Sequence, residues 1–213
     1  MKQSKRKSFV GAVIFTALVL VAGLLAGCPN GAPKNTNTSN TGNTGNAGST
    51  GNTSNENQNS IFKLYYGTIA GYTCKKEELP SVMVIPHKVR GWAITGIGQR
   101  VFENCTGITS LDLSACTALF QIGHTAFSGC TGLTNVDLSA CTLLTAMSYD
   151  VFCGCTNAEI KLPESITLIL GHPFGSKEDD FCKKVLIKSG PNFERIKELL
   201  VESGYPEERI GQY

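Results

Sequence analysis

Nine cysteines, three histidines and a recurring aspartate are the residues of this 213-residue chain whose types could do chemistry. Thiolates and imidazoles at close spacing could hold a metal. Cys153-Gly154-Cys155, however, has no His and no second Cys pair at a zinc-like interval. His87, His124 and His172 stand in different stretches with no shared motif, so none is placed to activate a nucleophile. Asp112 and Asp137 recur in the same context, Leu111-Asp112-Leu113 and Val136-Asp137-Leu138. Two carboxylates perform acid–base work when their environments push their pKa values apart, and two equivalent solvated positions do not. No glycine-rich phosphate loop falls between a strand and a helix. The sequence therefore assigns no catalytic, cofactor-binding or metal-binding residue, and the chain reads as a binding or structural protein rather than an enzyme.

The N-terminus reads as an address. Lys2, Lys5, Arg6 and Lys7 are followed by 19 uncharged residues, Phe9 to Gly27. A basic start, an apolar stretch and small residues at its end make a secretory signal. The end, Leu25-Ala26-Gly27-Cys28, resembles the lipobox of bacterial lipoproteins, which implies cleavage before Cys28 and lipid on its sulfur. The alternative is an uncleaved membrane anchor. From residue 28 to 60 the chain is mostly Asn, Thr, Gly and Ser, a composition too polar to offset its ordering entropy and expected to form a flexible tether. The formal net charge is +2, and without residues 1–27 the chain has 15 basic and 17 acidic side chains. That excludes the basic footprint of a nucleic-acid-binding protein and, apart from the extreme N-terminus, a polybasic membrane surface.

The elements that position the remaining polar residues come from a repeat. Phe102, Phe127 and Phe152 are 25 residues apart, as are Cys105, Cys130 and Cys155, and Cys116 and Cys141. The unit starting at Phe152 is three residues shorter, ending at Phe174, and Ile97, Ile122, Met147 and Ile169 each precede a Phe by five. A period of 22–25 residues with a Leu-x-Leu core is a leucine-rich repeat. Alternation puts Leu111 and Leu113 inward and Asp112 outward on a short strand. Stacking such units makes parallel strands and continuous apolar columns. The expected fold is an α/β solenoid, a short right-handed coil of about four to five turns, over 61–190. Val185 to Ile187 would be its last strand. A capping helix over 191–213 would start at Asn192, bury Phe193, Ile196, Leu199 and Leu200, and stop before Gly204. Tyr65 and Tyr66 with neighbouring apolar residues would close the other end.

The pattern Ile97-Gly98, Phe102 and Cys105, then Ile122-Gly123, Ala126-Phe127 and Cys130, resembles the BspA-type, or Treponema-type, leucine-rich repeat of bacterial surface proteins. The spacing departs from it at Ala146-Met147-Ser148, where Gly is missing, and at His172-Pro173-Phe174. The resemblance implies a lipoprotein on the outer-membrane surface, acting as a monomer, that binds a host extracellular-matrix protein or another surface protein. A periplasmic, membrane-tethered scaffold is the alternative. The outward strand positions Val84, Asp112, Asp137, Lys161 and Leu186 are the expected ligand-binding strip, bordered by Ser110, Ser114, Asn135, Ser139, Glu159 and Glu164. Trp92, Phe120 and Tyr149 are alternative contact residues if exposed. Apart from Cys28, eight cysteines remain. The five in repeat registers fit buried free thiols, and an even number in an exported chain also suits disulfides. Cys74, Cys153 and Cys182, outside the register, are expected to be exposed, reactive or paired.

Overall fold

The computed structural model describes residues 61–213. The signal segment 1–27, Cys28 and the tether 28–60 lie outside the described residues. The described chain opens with an antiparallel hairpin, β1 (Phe62–Tyr65) and β2 (Thr68–Tyr72), followed by β3 (Val82–Val84). A second hairpin, β4 (Lys88–Val89) and β5 (Trp92–Ala93), leads to β6 (Gly96–Ile97). The repeats then alternate strands on two sides of the coil: β7 (Ser110–Asp112), β8 (Gln121–Ile122), β9 (Asn135–Asp137), β10 (Ala146–Met147), β11 (Glu159–Lys161), β12 (Leu168–Ile169) and β13 (Lys184–Ile187). Helix α1 (Phe193–Glu202) and β14 (Ile210–Gln212) end the chain.

One side of the stack is a six-stranded sheet in the order β3-β7-β9-β11-β13-β14, parallel throughout. It has one strand more than the sequence implies: β13 is not the last, because β14 pairs parallel to it with Val185 opposite Ile210. The other side carries β1-β2-β6-β8 and, separately, β10-β12. The break between β8 and β10 falls at the missing glycine. Gly123 lets its amide reach the Ile97 carbonyl at 2.8 Å, and a Cβ there would lie 2.5 Å from the Gln99 nitrogen. Ser148, the equivalent residue one turn on, carries that Cβ.

Between the two sides lies the core. Phe102, Phe127, Phe152 and Phe174 are buried and stack nearly parallel, with centroids 5.2, 5.4 and 6.3 Å apart. Such pairs add about 0.5–1.5 kcal/mol each beyond the area they bury. Tyr72 continues the column at one end, 5.8 Å from Phe102, and Tyr205 meets Phe174 edge-on at the other. Phe62 and Ile69 close the N-terminal end, whereas Tyr65 and Tyr66 are exposed at the tip of the first hairpin. That corrects their expected role: outward-facing Tyr65 and the turn residue Tyr66 cannot reach the core. At the C-terminal end α1 buries Ile196 and Leu200 and is tied to the preceding turn by Arg195 Nη1 donating to the Ile166 carbonyl at 2.6 Å. Asn192 occupies the N-cap position without a capping side-chain hydrogen bond, and Gly204 follows the helix with φ of +87°. The cap is therefore a whole further turn, helix plus strand.

Candidate functional site: the outward strand row

Val84, Asp112, Asp137, Lys161 and Leu186 stand directly opposite one another on five successive strands, and Gly211 extends the row onto β14. The residues on either side of each, such as Leu111 and Leu113, are buried. The alternation read from the sequence thus places all five in one row on the outer face.

The identity of four of the row residues follows from how their strands end; Leu186, followed by Ile187 and Lys188, fits neither pattern. Asp112 Oδ1 accepts the Ser114 amide at 2.9 Å, and Asp137 Oδ1 accepts the Ser139 amide at 3.0 Å and the Ser139 hydroxyl at 2.5 Å. These are Asx turns, in which the side chain sets the bend. Where the residue two on is proline, at Val84-Ile85-Pro86 and Lys161-Leu162-Pro163, there is no amide to accept and the ring fixes φ instead. No aspartate is needed there, and none occurs. Sequence reading treated both aspartates as solvated face residues and missed this local task, although Asp-Leu-Ser against x-x-Pro carries the signal.

The charges along the row are partly matched. Lys161 Nζ lies 3.2 Å from Asp137 Oδ2 and 5.5 Å from the centre of the Tyr213 ring. Partial burial works against the charged form of Asp137, but the Ser139 hydroxyl and amide and Lys161 outweigh it and hold its pKa below the usual aspartate value. The like-charge contact expected between Asp112 and Asp137 is thereby relieved on one side. Lys183 pairs with Glu159 at 2.7 Å and Lys188 with Glu164 at 3.4 Å. These exposed pairs are worth at most about 1 kcal/mol each. Asp112 has no ion pair among the described residues. It borders an open depression of about 410 Å³ with Val82, Ser110, Asn135 and Ser139. A second depression, about 350 Å³, lies between Ser139, Glu164, Lys188 and Tyr213. Tyr213 and β14 escaped the sequence reading, since only the Ile210-x-Gln212 alternation announces them.

The cysteines do not contribute to this face. All eight described thiols are free. Cys130, Cys155 and Cys182 each donate to the carbonyl of the phenylalanine one turn back, Phe102, Phe127 and Phe152, at 3.0, 3.1 and 3.2 Å. Cys182 is therefore a buried member of the register and not an exposed outlier. Its 27-residue spacing from Cys155 hides it in the sequence. Cys116 donates to the Ile85 carbonyl at 3.1 Å. Burial pushes Cys116 and Cys141 up to about 12, with no cation to favour the thiolate. Cys153 is half-buried 3.6 Å from Asp180 and is raised to about 11 by burial and then by the carboxylates of Asp180 and Asp150. It is poorly suited to the reactive role expected for it. Cys74 is half-buried.

The histidines stay apart. His124 stacks on Tyr149, and His172 Nδ1 donates to the Ser203 carbonyl at 2.7 Å. Among the described residues no group of three His, Cys, Asp or Glu side chains converges as a metal site would. Trp92, Phe120 and Tyr149 are exposed, away from the strand row.

A stacked coil with parallel strands on one side and a row of outward residues defines a leucine-rich-repeat scaffold, a class that works by presenting a surface to other proteins. More narrowly, residues 83–185 match the BspA type leucine rich repeat region, in six copies, so the repeats of this chain are of that type. Two solved structures are similar to parts of the chain. A leucine-rich repeat protein from T. pallidum is 22% identical over 56% of this chain and 62% of its own, with a TM-score of 0.34. One from Bacteroides ovatus is 19% identical over 62% of this chain and 42% of its own, with a TM-score of 0.36. The match thus spans less than two thirds of either relative. No curated protein matches the chain.

Proposed function

We propose that the chain is an exported lipoprotein, held to the outer-membrane surface of a bacterial cell through Cys28, whose strand row binds a host extracellular-matrix protein or a surface protein of another cell. The observation that carries the reading is the register of Val84, Asp112, Asp137, Lys161 and Leu186 on five hydrogen-bonded strands. Rigid strands hold such a row without the ordering cost that loops would add. Asp112, which has no ion pair among the described residues, favours a ligand that brings a Lys or Arg to that end of the row.

Two measurements test this. Brief protease treatment of intact cells, with a periplasmic protein as leakage control, should cut the 28–60 segment and release a folded fragment near residues 61–213. Binding to immobilised matrix proteins should then fall on Asp112→Lys, with the circular dichroism spectrum unchanged. Protection until the outer envelope is opened would refute surface exposure and favour the periplasmic scaffold. Undiminished binding by Asp112→Lys would remove the strand row from the reading.

A further inference from the structure

Two hairpins lie together at the end of the stack where the described chain begins. Tyr66-Gly67 turns β1 into β2 and Arg90-Gly91 turns β4 into β5, both as two-residue turns with positive φ at each position. Their aromatic residues face solvent: Tyr65 is 69%, Tyr66 75% and Trp92 56% exposed. The rings touch edge-on, Tyr65 to Tyr66 at 4.7 Å and Tyr66 to Trp92 at 6.4 Å between centroids. Backbone hydrogen bonds from the Thr95 amide to the Gly67 carbonyl and from the Phe120 amide to the Thr95 carbonyl put Phe120, 54% exposed, two rungs along from the first hairpin. None of these side chains is used by the core, and isolated exposed apolar residues are ordinary where a cluster is not.

The polar company of the cluster is one-sided. Residues 61–74 and 79–98 contain no Asp, Glu, Asn or Gln, while Lys63, Lys88 and Arg90 are exposed. Lys63 shares the outward face of β1 with Tyr65, and Arg90 lies in the β4–β5 turn two residues before Trp92, whereas Lys88 stands opposite Ala93 on the other face of that hairpin. A neutral sugar would be oriented by carboxylates or carboxamides over a flat ring, and here the rings meet at right angles and the two hairpins contain neither group. Tyr and Trp ringed by Lys and Arg is the composition of the membrane–water interface, and the cations suit anionic headgroups.

We propose that Tyr65, Tyr66 and Trp92 form a membrane-docking patch, seated in the interfacial layer of an anionic bilayer, with Lys63 and Arg90 on the headgroup phosphates. The inference rests on the lipid-anchor part of the proposed function: an N-terminus held at a membrane through Cys28 delivers this end of the domain first. The patch goes beyond the ligand-binding reading and uses none of the strand row.

Trp92 is the chain's sole tryptophan, so its emission reports this one place. The full chain, held in vesicles by its own N-terminal segment, is compared in phosphatidylcholine and in phosphatidylcholine with phosphatidylglycerol, with and without brominated acyl chains. In the anionic vesicles Trp92 emission should move to shorter wavelength and be quenched by the brominated chains. Both effects should fall with added salt, which screens the cations over about 10 Å at 0.1 M. Both should also fall in the double variant Lys63→Ser, Arg90→Ser and in Tyr65→Ser with Tyr66→Ser. Because every sample has the same anchor, the anchor itself is not read. Water-like, unquenched emission in both lipids would overturn the proposal. Equal quenching in pure phosphatidylcholine would overturn the anionic headgroup as the partner.

Discussion

The exchange between Asx turns and prolines along the strand row can be tested as a thermodynamic cycle. In wild type the Ser114 amide donates to Asp112 Oδ1 at 2.9 Å. Removing either partner, by Asp112→Val or Ser114→Pro, loses a hydrogen bond worth about 1 kcal/mol net. Ser114→Pro also restricts the unfolded chain, a gain of about 0.4–1 kcal/mol where the native backbone accepts proline. The backbone should accept it, because Val84 lies opposite Asp112 and Pro86 stands two residues beyond Val84, as Ser114 does beyond Asp112. In the wild-type background the two effects nearly cancel, and Ser114→Pro should be close to neutral. In the Asp112→Val background the hydrogen bond is already gone and only the gain remains, so the same substitution should stabilise by about 0.4–1 kcal/mol. The cycle should therefore show a coupling of about 1 kcal/mol, read from urea unfolding midpoints at constant m-value. An effect of Ser114→Pro that is the same in both backgrounds would show that the side chain and the ring do not do the same job, and the account of the row would fall.

Other consequences are as direct. Gly123→Ala should destabilise by about 1–3 kcal/mol, because its Cβ would lie 2.5 Å from the Gln99 nitrogen. Ser148→Gly should slow hydrogen exchange at residue 148 as β8 and β10 join, and unchanged exchange would locate the break elsewhere. The buried thiols predict an alkaline limit. A thiol whose folded pKa is raised contributes stability that is present below its unfolded value of 9.0 and is lost as pH climbs to about 12 for Cys116 and Cys141. Unfolding free energy should fall across that interval, and less steeply in Cys116→Ala with Cys141→Ala.

The parts of the structure visible in the sequence are those where one unit repeats another. The phenylalanine column, the inward leucines and the outward row all follow from period and alternation, since each unit buries the same side chains against its copy. What the sequence concealed lies where a unit has no copy. Cys182 belongs to the thiol column but sits 27 residues from Cys155, so a fixed period passes over it. β14 has no repeat ahead of it, and its Gly211 has no side chain to alternate. Tyr65 and Tyr66 look like closing residues by composition, yet a tight turn holds them outside. The break at Ser148 is marked in the sequence by its missing glycine, but the reason lies in the close approach of Gly123 to the neighbouring turn, which only the fold displays.

The sulfur-to-carbonyl bonds have a consequence for how such a molecule can change length. Each links a cysteine to the phenylalanine of the turn before it, with the same geometry from turn to turn. A tandem duplicate of residues 102–126 would meet at its front edge the acceptors that Cys130 now uses, and would offer at its back edge the same acceptors to the turn behind. Tyr72 and Tyr205 would terminate the column whatever the number of rings between them. The gene can therefore lengthen or shorten the protein in steps of one strand spacing, about 4.8 Å, with no redesign of the interior. The width of its outer face becomes an inherited dimension, set by counting rather than by repacking.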